Sequence, residues 1–412
     1  MAKNHCPVYW SWDFLRPGPD PMRRVHLCYN RETWRSRSTA GRKLRAVGRM
    51  ALWPVRAAVL TRRSTRRYGD AVRRRTGKGI ARQALEQMIL VLRHSMPPDS
   101  YYRYQLFESD KRRDANQYAH DHQCIPIFFA GIPDAAPRYA LDKRWFAAFC
   151  AEHGLPSPPI LARFEGGTMV KEANEPRGLV TGDLVFKPAF GKAGHDVAIH
   201  RKLEGDRYVD AAGETRTAAA LFALYENLSR QAPYIVQARL ENHPEIADLS
   251  TGAAATARIV TGRLPGSRAE FVIAAFKLPV GASSVDNFAA GGLASPIDEA
   301  TGVLGPAIAK DLAASWCERH PDTGAAISGR RLPFWTEAVD LSLRAHDALP
   351  DLALLGWDVA LTPDGPSLVE TNRAWSFDLV QRPHGRPIGK TRFPEIYLSH
   401  LRDRTGNRAS TS

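Results

Sequence analysis

Between Gly356 and Asn372 the chain reads Gly-Trp-Asp-Val-Ala-Leu-Thr-Pro-Asp-Gly-Pro-Ser-Leu-Val-Glu-Thr-Asn. Two apolar alternating runs flank Pro363-Asp364-Gly365, and an Asp-Gly turn between such runs predicts a β-hairpin. Glu370 and Asn372 lie two residues apart and so share one face of their strand. Pairing of the strands would bring Asp358 alongside them. Three oxygen-bearing side chains, two of them carboxylates, would then converge, and hard oxygen ligands of this kind suit Mg²⁺. Taken alone, the same pattern also describes a surface hairpin with solvated acids.

Upstream, Asp183-Leu-Val-Phe-Lys187-Pro188-Ala-Phe-Gly191-Lys192-Ala-Gly194-His195-Asp196 reads as a strand, a Lys-Pro and a glycine-containing loop leading into a second strand. Gly191 and Gly194 would let backbone N–H groups approach a phosphate, and Lys187 would supply a point charge. The order of the P-loop motif is missing, and a basic hairpin is the plain alternative. Tyr234–Leu240 reads as a buried strand ending in polar residues. Its backbone could meet an adenine edge, or it could be an ordinary core strand.

The sequential order Lys143, Lys187 with its glycine loop, the Gln237 strand, then Asp358, Glu370 and Asn372 resembles the ATP-grasp superfamily over roughly residues 140–400. More narrowly, the chain is similar to the sugar-transfer-associated, α-L-glutamate-ligase-related branch. That narrower resemblance rests on His243-Pro-Glu, Thr256-Ala-Arg258, Asp286-Asn287 before Gly291-Gly292, His320-Pro-Asp-Thr-Gly and Gly356-Trp-Asp358. It implies an α+β fold in which two α+β lobes clasp ATP, over residues 136–404, preceded by a basic, mainly helical region at 1–135.

Carried over residue by residue, the resemblance assigns Lys143 and Lys187 to the α/β-phosphates. Gly191, Gly194 and His195 would lie in a loop over the triphosphate. Gln237, Ala238 and Leu240 would form the adenine hinge, and His243 would contact ribose. Asp358, Glu370 and Asn372 would hold Mg²⁺, as one ion or two, with Mn²⁺ able to substitute. Lys277 would face the γ-phosphate and Arg258 the acyl phosphate. Asp286 and Asn287 would meet the acceptor. After Asn372 this chain departs from the small-Pro-Gly turn of most such ligases. Arg373 could instead recognise an anionic group of the acceptor, and Trp375 could stack on a sugar. His320 reads as part of a turn, with substrate contact as the alternative.

Three activities fit these residues. The first is an ADP-forming carboxylate–amine ligase acting on a cell-surface polysaccharide or glycan precursor. The second is a phosphotransferase to a sugar hydroxyl. The third is a non-catalytic module binding nucleotide or anionic glycan.

Charge separates the two regions. Residues 1–100 hold 22 Lys/Arg against 6 Asp/Glu, a net of +16, and the remainder holds 35 against 37, a net of −2. A basic appendage on a near-neutral body predicts docking to an anionic membrane surface, an acidic polymer or a protein partner, not nucleic-acid binding throughout. No apolar run of about 18 residues predicts a transmembrane helix. The five scattered cysteines form no CxxC and predict a reduced compartment without a zinc site. A cytoplasmic protein, free or peripheral at the inner membrane face, follows.

Residues 1–30 are rich in Trp, Pro and Arg and show no period, and 1–21 read as disordered, or as an extension ahead of a start at Met22; 405–412 read as a disordered tail. Helices are expected over 42–60, 68–75 and 79–94, with Ile80, Leu85, Met88, Ile89 and Leu92 as a core-facing stripe. Tyr101–Tyr118 is expected to be helical and Ile125–Phe129 a short strand. Asp142 is the expected N-cap of a helix through Glu152, closed by Gly154.

Overall fold

The computed structural model describes residues 18–35, 39–129, 142–171, 182–191, 196–281, 286, 288, 291–312 and 316–409. Two sheets organise it. The first has seven strands: β1 (Ile160–Glu165), β2 (Thr168–Lys171), β3 (Leu184–Pro188), β4 (Ala198–Lys202), β5 (Arg207–Val209), β6 (Thr215–Thr217) and β7 (Tyr234–Ala238), in the order β2-β1-β7-β3-β4-β5-β6. The second has six: β8 (Thr256–Gly262), β9 (Glu270–Leu278), β10 (Leu293–Pro296), β11 (Ile308–Ala309), β12 (Leu354–Thr362) and β13 (Gly365–Asn372), in the order β11-β10-β9-β8-β12-β13.

One face of the first sheet is apolar because Leu184 and Phe186 alternate with Val185 and Lys187 along β3. The Ala218–Ser229 helix, N-capped by Thr217, packs on that face and stacks Tyr225 on Phe186. Lys187 is thereby turned to the opposite face, beside Gln237 of β7.

In the second sheet β8 and β12 are buried at every position. One face carries Ala257, Ile259, Trp357 and Val359 into a core closed by the Trp335–Asp347 helix and by Phe146 and Phe149 of the Lys143–Glu152 helix. The other face is divided along its length. Val260, Ile273, Ala275 and Leu354 are covered by Trp375, Phe377, Phe393 and Ile396, together with Met22, Val25 and Tyr29. Beyond them the same face bears the buried charges Arg258, Lys277 and Asp358.

The hairpin forms as expected, with a two-residue turn at Pro363-Asp364 and Gly365 at φ +114°. Asp142 caps the Lys143–Glu152 helix by accepting from Arg144 N. Several expectations need correction. Residues 121–129 are helical, not a strand, because Asp121-His-Gln supplies a first turn and Cys124 and Ile127, three apart, are both buried. An apolar run this short fits either element until its neighbours decide. Tyr101–Tyr118 holds only short helices, at Ser100–Arg103 and Ser109–Arg113, and a 3-10 turn at Ala115–Gln117. Pro21–Arg35 is a helix with Met22 wholly buried, and the last helix runs from Phe393 to Ala409 where a tail was expected. Residues 1–17 lie outside the described residues.

The 80–94 stripe is split: Ile80 and Met88 pack inward, beside Gly69 and against Ala57 and Val91, while the other three point outward. Leu85, Ile89 and Leu92 are 61%, 48% and 39% exposed, while Gln83 and Gln87 are wholly buried. The reason is a buried polar network. Gln83 donates to Gly69 O at 3.0 Å and accepts from Tyr102 Oη at 2.9 Å. Gln87 donates to Thr65 Oγ1 at 2.8 Å, and Glu86 accepts from Tyr101 Oη at 2.6 Å and Lys78 Nζ at 2.9 Å.

Candidate active site

The register of the hairpin pairs Asp358 with Glu370, and β8 pairs Arg258 with Asp358. Directly paired residues on adjacent strands project to the same face. A β-bulge decides which face Glu370 takes. Asp358 pairs with Glu370 but Val359 pairs with Leu368, leaving Val369 extra. Leu368 therefore enters the core while Glu370 turns to the charged face, although strict alternation would put them together.

The site has two tiers. Asp358, Arg258 and Lys277 are buried. Arg258 holds Asp358 through both ends of its fork, Nε to Oδ1 at 2.5 Å and Nη2 to Oδ2 at 3.0 Å. Lys277 Nζ donates to Asp358 Oδ2 at 2.9 Å and to Asp286 Oδ1 at 3.0 Å, and Thr256 Oγ1 donates to Asp286 Oδ2. Burial works against the Asp358 carboxylate, but Arg258 and Lys277 outweigh it and hold its pKa well below the ordinary range. The pKa values of Lys277 and Arg258 rise against their burial, mainly through Asp286 and Asp358 for the first and Asp358 for the second.

Above them, Glu370 and Asn372 are only half-buried. Asn372 Nδ2 donates to Glu370 Oε1 at 2.9 Å and lies 3.4 Å from Asp358 Oδ2. Burial first, and the neighbouring Asp358 second, push the Glu370 carboxyl up. From the first sheet, Lys187 donates to Gln237 Oε1 at 3.1 Å, and from the start of the Lys143–Glu152 helix Lys143 donates to Pro188 O of that sheet at 3.1 Å. Both lysines feel Glu370, so the first sheet, the Lys143–Glu152 helix and the second sheet bring their charges to one place. Burial lowers the pKa of Lys187 to about 8 and also lowers that of Lys143. Gly191 lies beside them, a built Cβ there falling 3.9 Å from Lys143 Nζ.

The donor set fits a divalent cation. Asp358, Glu370 and Asn372 converge on the reach of one amide, and two of the three are carboxylates. Among the described residues no group of three His, Cys, Asp or Glu is placed to hold a metal ion, so the set here depends on Asn372 as its third donor.

Other expected residues have different surroundings. The Gln237 side chain spans from Lys187 to Pro158 O, and Gln237 and Ala238 are laddered to β3. Leu240 lies just past the strand end. His243 caps the 3-10 turn Pro244–Leu249 by accepting from Glu245 N, and its ring meets Phe334 edge-on. His320 is buried with Nε2 2.8 Å from Pro279 O, as a turn residue would be. Gly194, His195 and Asn287 lie outside the described residues.

Trp375 is a correction. It is wholly buried, edge-on to Phe377 and Phe393 at 5.0 and 6.0 Å, so no face is open to a sugar. Its carbonyl instead accepts from Arg258 Nη1 at 3.1 Å, and its side chain lies on Gly356, where a Cβ would come within 2.5 Å. Arg373 is buried beside it, which lowers its pKa. Sequence reading missed Thr256 as the partner of Asp286; its place two residues before Arg258 on one strand was the available signal.

The family model for sugar-transfer associated ATP-grasp proteins matches residues 135–391, and the chain belongs to this family. Its fold is the ATP-grasp fold, and the family binds ATP. Among solved structures, a D-alanine–D-alanine ligase from Bacillus anthracis is 14% identical, with 65% of this chain and 69% of that chain covered and a TM-score of 0.36. An ADP complex of N5-carboxyaminoimidazole ribonucleotide synthetase is 12% identical over 57% of this chain and 45% of that one, with a TM-score of 0.32. An L-amino acid ligase from Bacillus licheniformis is 14% identical over 57% and 40%, with a TM-score of 0.30. The chain thus spans less than half the length of the last two. No curated protein matches it in sequence.

Proposed function

We propose that this chain is a Mg-ATP-dependent ligase that activates a carboxylate as an acyl phosphate and passes the acyl group to an amine on a sugar-containing acceptor. The observation that carries the reading is the two-tier site: Asp358, Glu370 and Asn372 gathered over a buried Arg258–Lys277 pair and faced by Lys143 and Lys187. In this reading Lys143 and Lys187 bind the α/β-phosphates, with Gly191, Gly194 and His195 in the covering loop. The edge from Gln237 to Leu240 receives adenine, and His243 borders the ribose. Asp358, Glu370 and Asn372 would hold Mg²⁺, or Mn²⁺ in its place, which when bound neutralises charge on the transferring phosphoryl group.

Arg258 and Lys277 take a revised part. Both are tied to Asp358, so they fix its carboxylate and lend positive potential from below to the acyl phosphate and leaving phosphate. Asp286, Asn287 and Arg373 stand on the acceptor side. A ligase is favoured over a hydroxyl phosphotransferase because Asp286, the carboxylate on the acceptor side, is already bound to Lys277 and Thr256 and is not free to act as the general base that a sugar hydroxyl would need.

Mg-ATP should raise Tm by mass action, and a Glu370→Gln/Asn372→Ala variant should lose most of that rise. No rise in the unaltered chain at millimolar Mg-ATP would refute the reading. Release of free phosphate only when carboxylate and amine are both present marks the ligase; phosphate retained on a sugar marks the phosphotransferase; and ATP binding without turnover marks a non-catalytic module.

A further inference from the structure

The helices Trp53–Thr76 and Ile80–His94 pack side by side with their polar residues inward. The first buries Thr61, Ser64, Thr65 and Gly69 together with Ala57 and Val72; the second buries Gln83, Glu86 and Gln87 together with Leu90 and Val91. Their outer faces carry exposed apolar side chains among exposed charges. Val55 and Val59 are 65% and 61% exposed, and Leu44 and Leu52 continue the row at 73% and 67%. Leu85, Ile89 and Leu92 lie on the outer face of the neighbouring helix. The hydrogen-bonded Gln83, Glu86 and Gln87 pin the second helix, so rotation cannot hide these side chains without orphaning buried polar groups. Large apolar side chains left exposed in number on neighbouring helices mark a contact site.

We infer that this face is a peripheral membrane-binding surface for bilayers rich in anionic lipid. Charge selects the occupant. The apolar row runs into exposed Arg62, Arg63, Arg66 and Arg67, with Arg45 and Arg82 exposed alongside. The excess of positive charge in residues 1–100 leaves the rest of the chain near neutral. Leu and Val bordered by arginine is the composition of a helix lying in the headgroup–acyl boundary, its apolar side immersed and its cations on lipid phosphates. No described helix is long and apolar enough to cross a membrane, so the contact is along the surface. A second copy of this chain is disfavoured, since an isologous pairing would set one arginine cluster against another. An acidic polymer would use the arginines but gain nothing from the exposed valines and leucines. The inference is independent of the proposed reaction.

The test is co-sedimentation of the full chain with phosphatidylcholine vesicles, with and without phosphatidylglycerol. Binding should appear with phosphatidylglycerol and weaken from 0.1 to 0.5 M salt. A Val55→Ser/Val59→Ser/Ile89→Ser variant should lose at least about tenfold in partitioning, from the loss of apolar insertion. Arg62→Ser/Arg66→Ser should lose about fivefold per charge. A Val170→Ser/Leu203→Ser control, exposed elsewhere, should bind as the unaltered chain does. Unchanged thermal unfolding and Mg-ATP response in each variant exclude misfolding. Four results would overturn the inference: no sedimentation, equal sedimentation with neutral vesicles, a serine variant that binds like the unaltered chain, or a concentration-dependent dimer abolished by the serine changes without vesicle binding. Equal binding of poly-glutamate by the unaltered chain and the serine variant, without vesicle binding, would assign the surface to an acidic polymer.

Discussion

The ion pair between Arg258 and Asp358 offers a quantitative test of the lower tier. Its two hydrogen bonds are 2.5 and 3.0 Å, and the side chains are 9% and 4% exposed. Removing one partner of a buried pair typically costs about 3–5 kcal/mol, because the other charge is stranded. In Arg258→Met, Asp358 keeps Lys277 at 2.9 Å, so the low end, about 3 kcal/mol, is expected. Asp358→Asn leaves Arg258 and Lys277 facing a neutral amide and should also cost about 3 kcal/mol. The double variant strands neither charge of the pair, and Lys277 retains Asp286 at 3.0 Å. Its loss should therefore be about 3 kcal/mol, not the roughly 6 of an additive pair, a coupling of about 3 kcal/mol. Urea unfolding of the four proteins at pH 7, compared at equal m-value, measures it. Additivity within about 0.5 kcal/mol would refute the claim that these residues act as one unit.

Gly356→Ala puts a methyl 2.5 Å from Trp375 Cβ and 3.1 Å from Arg258 Cδ; overpacking should cost about 2–3 kcal/mol and blunt the Mg-ATP thermal shift, seen as paired drops in both readings. His346 is wholly buried between Thr261 Oγ1 and Leu352 O, and burial lowers its pKa to about 4. The unfolded chain then binds the proton first. Stability should fall by up to about 3 kcal/mol as pH drops from about 6.5 to 4, and His346→Leu should flatten that segment of a Tm–pH curve. Lys187 has a folded pKa of about 8, below its unfolded value, so its cost is fully present at pH 7 and fades as pH rises from 8 through 10.5. With its partial exposure discounted, Lys187→Met should stabilise the ATP-free protein by about 1–2 kcal/mol at pH 7 while losing the ATP-induced Tm rise.

Much of the site was legible because its parts are local. The turn at Pro363-Asp364-Gly365 folds its two strands together, which was enough to bring Asp358 near Glu370 and Asn372, while the bulge at Val369 sets the exact register. Lys187 alternates with Phe186 on its strand, so burying the ring had to turn the lysine away. The capping aspartate at 142 needed only its own helix.

What resisted reading depends on partners far along the chain. Periodicity identifies a stripe on the 80–94 helix but not which side the protein covers; Tyr101, Tyr102 and Thr65 chose the polar side by offering partners to Glu86, Gln83 and Gln87. Strict alternation would send Leu368 and Glu370 the same way, and only the extra residue at Val369 parts them. Trp375 reads as an exposed aromatic after a metal-binding strand; the glycine at 356 and the rings of Phe377 and Phe393 enclose it. The sequence by itself therefore determined which charged residues gather at the candidate site and the order in which they occur along the chain. Tertiary structure alone decided their facing, because facing is set by the free energy of burial against neighbours that no local pattern names.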